Sequence, residues 1–230
     1  MSRILQIETA TTVCSVALAT DGIITAFKQV DQRNVHAEVI TLYIDELINT
    51  AGLKYTDLDA IAISSGPGSY TGLRIGVSTA KGLCYALDKP LIAIETLEGM
   101  ANGIIADKSL SLDNSTLLCP MIDARRMEVY TALFDGAGNK VKGTAAEIID
   151  EQSFSKYLES KKIIFFGDGA EKCQAVLGNN PNAQFLNGFI NSATHLTKQA
   201  AERFAVKDFV DVAYFEPFYL KEFLITSKKA

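Results

Sequence analysis

The sequence predicts an α/β protein built from two copies of one βββαβα lobe, and three observations carry that prediction. Each half reads strand, strand, strand, helix, strand, helix, the two readings offset by roughly 100 to 115 residues. An acidic residue closes the first strand of each half, Glu8 and Asp123. A glycine-flanked turn, Gly66-Pro67-Gly68 or Gly167-Asp168-Gly169, then leads from the fourth strand into the helix that follows. Two stacked lobes with a cleft between them follow from duplication, lobe one over 1–103 and lobe two over 104–230, with the last segment packing back on lobe one.

Arg3 to Glu8, Val13 to Ala19 and Ile23 to Val30 read as strands. Asp21-Gly22 joins the last two, because a two-residue type I′ turn requires positive φ at both central positions. His36 to Thr50 carries apolar residues at helical spacing and stops before Gly52. Asp59 to Ser64 is a short apolar strand, Thr71 to Leu87 a helix halted before Pro90, Leu91 to Glu95 a strand, and Thr96 opens a short helix. In the second half Thr116 to Ile122, Glu128 to Phe134 and Lys140 to Ala146 read as strands, the last two joined by Gly136-Ala137-Gly138-Asn139. A helix over Ser153 to Ser160, a strand over Lys162 to Phe166 and a helix from the Gly167 turn through Leu177 complete the repeat.

With 230 residues, 48% hydrophobic and 21% charged, the chain is long and apolar enough to build its own core. Twenty-two Lys and Arg against 27 Asp and Glu leave a net charge of −5, which argues against nucleic-acid binding by this chain alone, since that needs clustered cations. The dense basic runs, Arg125-Arg126, Lys161-Lys162 and Lys228-Lys229, read as solvated turn and tail charge. Cys14, Cys84, Cys119 and Cys173 form no C-x-x-C and read as buried free thiols of a reducing compartment. The strand pattern begins at Arg3, leaving no room for a signal peptide, and no apolar run reaches the ~18 residues of a membrane span. A cytoplasmic protein without a membrane partner is expected.

The residues offer little catalytic chemistry. The two histidines, His36 and His195, belong to neither H-x-x-x-H nor H-E-x-x-H, so the facing pair that a helical zinc site requires is missing. No G-x-S-x-G nucleophile elbow is present. No catalytic and no metal-binding residue is assigned. The Gly66, Gly68 and Ser69 turn departs from the Walker pattern, since Leu73-Arg74 follows Gly72, and from the dinucleotide pattern, which wants glycine where Thr71 stands. Two readings stay open for it: helix N-terminal amides that receive a phosphate, or a tight turn with Ser69 or Thr71 capping the helix.

The two long helices of the first half say more. Val35, Val39, Ile40, Leu42, Tyr43, Ile44, Leu47 and Ile48 spread over an arc of roughly 240°, where a surface helix needs only about 100°. Thr71 to Leu87 is wrapped similarly, and Gly72, Gly76 and Ala80 form a small-residue ridge. Each helical glycine costs about 1 kcal/mol, which implies a packing reason. Either both helices are sandwiched within their own lobe, or they meet helices of another chain.

Three segments resemble the TsaB family, also called YeaZ. They are Ile4-Leu5-Gln6-Ile7-Glu8-Thr9-Ala10-Thr11 with Cys14-Ser15-Val16-Ala17-Leu18, the run from Ser65-Gly66-Pro67-Gly68-Ser69-Tyr70 through Gly82-Leu83, and Asp123-Ala124-Arg125-Arg126-Met127-Glu128-Val129-Tyr130. Pro217-Phe218-Tyr219-Leu220 is a weaker echo of the family's C-terminal pattern. The resemblance implies an actin-like fold, of the sugar kinase and chaperone ATPase type. It also implies a non-catalytic subunit that pairs with the homologous TsaD, which holds the metal and transfers threonylcarbamoyl to the adenosine beside the tRNA anticodon. TsaE, an ATPase, joins them.

The implied pairing surface is a bundle formed by the helices over His36 to Thr50 and Thr71 to Leu87. This gives Val39, Ile40, Tyr43, Ile44, Leu47, Gly72, Ile75, Gly76, Thr79, Ala80 and Leu83 as interface residues, with a homodimer through the same helices as the other pairing they allow. Gly76→Leu and Ile44→Asp are expected to break pairing and spare the fold. No cofactor is expected for the chain alone; ATP or ADP enters only in the complex with TsaD. The family usually has Asp at the Glu8 position, and in relatives that hydrolyse ATP the acidic residue there helps hold nucleotide and metal. The longer Glu8 would misplace that contact, so Glu8, with Gly66, Gly68 and Ser69, is only a weak nucleotide candidate. The alternatives are an ATP-binding enzyme of the same fold and a glycoprotease-like hydrolase.

Overall fold

Each half of the chain folds into a five-stranded mixed sheet of one strand order. In the computed structural model, which describes residues 1–110, 112–113 and 115–221, sheet one holds β1 (Arg3–Glu8), β2 (Val13–Thr20), β3 (Ile23–Asp31), β4 (Ala60–Ser64) and β5 (Leu91–Ile94). Sheet two holds β6 (Thr116–Asp123), β7 (Glu128–Asp135), β8 (Lys140–Ile148), β9 (Lys162–Phe166) and β10 (Ala183–Leu186). The orders are β3-β2-β1-β4-β5 and β10-β9-β6-β7-β8, which are the same order element for element. In each, the first three strands run antiparallel and the fourth and fifth join parallel. This is the duplicated lobe of the actin-like fold.

Local chemistry sets these elements. Asp21 (φ 50°) and Gly22 (φ 74°) make the β2–β3 turn, and Ser2 N–H donates to the Asp21 carboxylate at 2.6 Å. Helix α1 (His36–Thr50) ends where Gly52 takes φ 64° and Leu53 N–H returns to Ile48 O, the glycine stop that positive φ permits. Helix α2 (Tyr70–Leu87) is capped by Ser69, whose hydroxyl accepts Gly72 N–H. The second lobe's first helix is shorter than its pattern predicts: α4 spans Ser155–Leu158, because Asp150 folds residues 150–153 into a side-chain-bonded turn and Phe154 enters at φ 63°. Gly66 (φ 108°) and Gly167 (φ 103°) stand at corresponding turns with nearly equal backbone angles, a conformation open to glycine.

Helices cover both faces of both sheets, and they do so by crossing between lobes. Beneath sheet one, α1 and α2 bury Ile40, Ile44, Leu47, Ile48 and Val77 against Leu5, Ile7, Val16 and Ile63. Its other face, Ile4, Ala60, Ala62, Ile92 and Ile94, is covered by Leu196 of a 3₁₀ turn (Ala193–Leu196) and by Ala200 and Phe204 of α6 (Thr197–Val206). Helix α3 (Thr96–Ala106) packs Leu97, Met100, Ala101 and Ile104 against sheet two. Residue 103 thus falls inside a helix that serves the second sheet. Helix α5 (Ala170–Leu177) and α4 cover the remaining face of sheet two. All four cysteines are free and buried. No helix among the described residues is long and apolar enough to cross a membrane.

Candidate functional site

The turns that follow β1 and β4 meet, and there the glycine turn is closed by the chain itself. A Cβ on Gly68 would stand 2.4 Å from Ala10 O, on Gly72 2.1 Å from Thr9 O, and on Gly76 2.2 Å from Thr9 Oγ1. The ridge on α2 therefore admits the turn after β1, not a second helix. Three of the turn's amides are engaged as well: Gly66 N–H donates to Thr96 Oγ1 (3.1 Å), Ser69 N–H to Ala10 O (2.7 Å) and Gly72 N–H to Ser69 Oγ (3.2 Å). On the far side Phe218 O lies 2.6 Å from the Cβ position of Gly66. Of the two readings left open by the residues, the geometry is that of a tight turn capped by Ser69.

Glu8 is fully buried at the end of β1. Its Oε1 accepts Ala10 N–H at 2.6 Å, while Oε2 has no hydrogen-bond partner among the described residues. Burial raises the carboxyl's pKa above the usual range, outweighing the hydrogen bonds that oppose the shift, and so favours the neutral acid. The equivalent Asp123 is bound up differently, its N–H on Asp168 Oδ1 (3.0 Å) and its carboxylate paired with Lys172. A nucleotide phosphate and its metal do not fit this arrangement, because the acid is buried and the turn packs carbonyls on its glycines. Among the described residues no three His, Cys, Asp or Glu side chains gather as metal ligands.

Both histidines are structural. His36 Nε2 lies 3.1 Å from Thr11 O and 3.2 Å from Val13 O, tying α1 to the β1–β2 turn. His195 stacks on Phe189, and its Nδ1 accepts Ser192 N–H at 3.3 Å. Burial pushes its pKa down to about 4.

The sequence-derived interface set divides on burial. Ile40, Ile44, Leu47 and Ala80 lie in the lobe's own core, and Gly72 and Gly76 are buried against Thr9. These six are corrected to internal packing residues, and Gly76→Leu or Ile44→Asp would break the fold before any interface. Val39, Tyr43, Ile75, Thr79 and Leu83 are half-buried on the outer face of the helix pair. Beside them stand Leu42, 60% exposed, and Tyr85, 88% exposed. Gly82, in the middle of α2, is exposed with nothing within 4 Å of its Cβ position. At the start of α2 a hollow of ≈ 360 Å³ is lined by Tyr70, Thr71, Arg74 and Ile75. Sequence reasoning left Leu42, Gly82 and Tyr85 out of the set; the signal for Gly82 was its place off the Gly72-Gly76-Ala80 row.

A family model described as TsaD, tRNA N6-adenosine threonylcarbamoyltransferase, matches residues 30–215. The tRNA threonylcarbamoyladenosine biosynthesis protein TsaB of Escherichia coli is 32% identical over 225 residues, covering 95% of this chain and 94% of that protein. The chain belongs to the TsaB family. The Bacillus subtilis protein of the same name is 29% identical over 233 residues, covering 95% and 93%. A solved Pseudomonas aeruginosa structure, described as an uncharacterized protein with similarity to peptidase YEAZ, superposes with a TM-score of 0.83 at 25% identity over 96% of this chain and 100% of that one. Both TsaB relatives align over 95% of this chain, so the TsaB resemblance spans both lobes and not only the glycine turn.

Proposed function

We infer that this chain is the accessory subunit of a tRNA threonylcarbamoyladenosine-forming complex, and that it pairs with a TsaD-like transferase through the outer faces of α1 and α2. The observation that carries the reading is the outer face itself: Leu42 of α1 and Tyr85 of α2 are largely exposed, and α2 carries a mid-helix glycine, Gly82, that no described residue packs against. A helical glycine costs about 1 kcal/mol in an isolated helix. Here that cost has no intramolecular return, and close approach of a partner helix supplies one. An exposed Tyr such as Tyr85 is the kind of residue that anchors a protein–protein interface.

The lobe interior supports an accessory role over an enzymatic one. Glu8 lacks the exposure to hold a metal or nucleotide, the glycine turn is occupied by backbone, and neither histidine is placed to act as a general base. The transferase chemistry and the ATPase step then belong to the TsaD-like and TsaE-like partners. Reconstitution of threonylcarbamoyl transfer to tRNA with those two proteins, with and without this chain, tests the reading; product yield unchanged on omission overturns it. A second copy of the chain competes for the same face when the transferase is absent, and light scattering of the chain alone and mixed with the transferase separates the two pairings.

A further inference from the structure

After α6 the chain returns as a strap over lobe one. Val210 N–H bonds Leu91 O (3.0 Å), and Val210, Val212 and Phe215 pack on the first lobe's core. Lys81 on α2 reaches over it and donates to the carbonyls of Ala213 (3.1 Å) and Phe215 (2.9 Å). Phe218 N–H then bonds Ser65 O at 2.7 Å beside the glycine turn, and Tyr219 lies against Tyr70 with ring centroids 4.6 Å apart. Past this point Lys221 forms an ion pair with Glu128, the first residue of β7 in lobe two.

The chain has two other crossings between the lobes. One is the entry to α3, where Lys140 and Thr144 of β8 hold Glu95 at 2.8 and 2.7 Å. The other is the segment before the 3₁₀ turn, where Phe189 packs against sheet two and Ala193 N–H bonds Ser15 Oγ at 2.9 Å. Both are covalent; the second is fixed by a buried bond, and the first carries the Lys140–Glu95 ion pair, which is partly exposed. The strap's tie to lobe two differs in being made by side chains alone: it ends on a partly exposed ion pair, so salt screens it and charge changes weaken it.

We propose that residues 216–221 are a latch between the two lobes, anchored on lobe one by the Phe218–Ser65 bond and the Tyr219–Tyr70 contact and closed on lobe two by Lys221–Glu128. Opening it lets the lobes part about the two covalent crossings and uncovers the turn at Ser65 and Gly66. Because Tyr70 is the first residue of α2 and lines the hollow at its start, the latch also sets the shape of that helix's leading end. This inference holds whether or not α1 and α2 bind a partner.

Hydrogen exchange on the full chain tests it. Glu128→Gln raises the exchange rate of the Phe218 and Tyr219 amides by up to about fivefold, as does 1 M salt on the unaltered chain, while β1 and β4 amides stay protected. The charge swap Glu128→Lys with Lys221→Glu restores protection. Spin labels on Thr41→Cys of α1 and Lys156→Cys of α4, both exposed, report a broader interlobe distance distribution in Glu128→Gln. Protection unmoved by Glu128→Gln and by salt overturns the latch, as does a loss that the swap fails to restore or an unchanged distance distribution.

Discussion

Gly76 of α2 and Thr9, which follows β1, are in backbone-to-side-chain contact so close that a single added methyl at Gly76 would stand 2.2 Å from Thr9 Oγ1. The contact joins the helix to the end of the central strand. It turns an apparent interface glycine into a packing one and makes the two kinds of glycine on α2 separable by experiment. Gly76→Ala should destabilise the chain by about 1–3 kcal/mol in urea unfolding, since neither the strand nor the helix can move aside cheaply. Gly82→Ala, placed in open space, should instead stabilise it by up to about 1 kcal/mol.

The same open space gives a test of the pairing surface that does not depend on damaging the fold. Gly82→Leu and Leu42→Asp should leave the unfolding midpoint within about 0.5 kcal/mol of the parent or above it. Each should weaken binding to the TsaD-like subunit by about tenfold or more in calorimetry. Full binding by both variants would remove this face from consideration.

Glu8 makes the fold lose stability as pH rises. Its carboxyl has a folded pKa raised by burial, so its contribution to stability is fully present below the unfolded carboxylate range and is lost as pH rises through the folded value. Glu8→Gln, which keeps the shape and removes the titration, should flatten the decline of stability with rising pH. Urea midpoints across pH 5 to 9 read it directly; parallel curves for the two proteins would show that Glu8 does not titrate in this way.

His195 sets the acid side. Its pKa falls from 6.5 to about 4 on burial, so the neutral ring's contribution is present above pH 6.5 and is lost as pH falls through 4. A shift of this size corresponds to about 3 kcal/mol between the limits. His195→Gln should lower stability at neutral pH, because the stack on Phe189 goes, and should also shallow the acid-side slope.

The sequence was readable where a strong period met a clear stop. Helix α1 runs over His36–Thr50 as its spacing predicts, because a wide apolar arc faces sheet one and Gly52 ends it. The three-strand start of each lobe and the capped turn at Ser69 were legible for the same kind of reason. Strand β10 and helix α6 were not. The strand is four residues at a sheet edge, and α6 lays Thr197, Gln199 and Ala200 on a sheet face lined by Ala60 and Ala62, so small and polar residues do work that the eye assigns to Leu and Ile. At the candidate site, the excess apolar arc pointed to two helices that serve more than one neighbour. It did not separate the residues that face β1 and β4 from those that face outward, because that division depends on where Thr9 and the C-terminal strap come to rest. The basic pair Lys228-Lys229 lies outside the described residues.

The coverage of sheet one by α6 has a consequence for how the molecule is made. All five strands of that sheet have left the ribosome once Ile94 has emerged, yet Ile4, Ala62 and Ile92 stay bare until the chain has been synthesised through Val206. The first lobe to be translated is therefore among the last to be sealed, and a nascent chain stalled between those points presents an oily sheet face to whatever holds it.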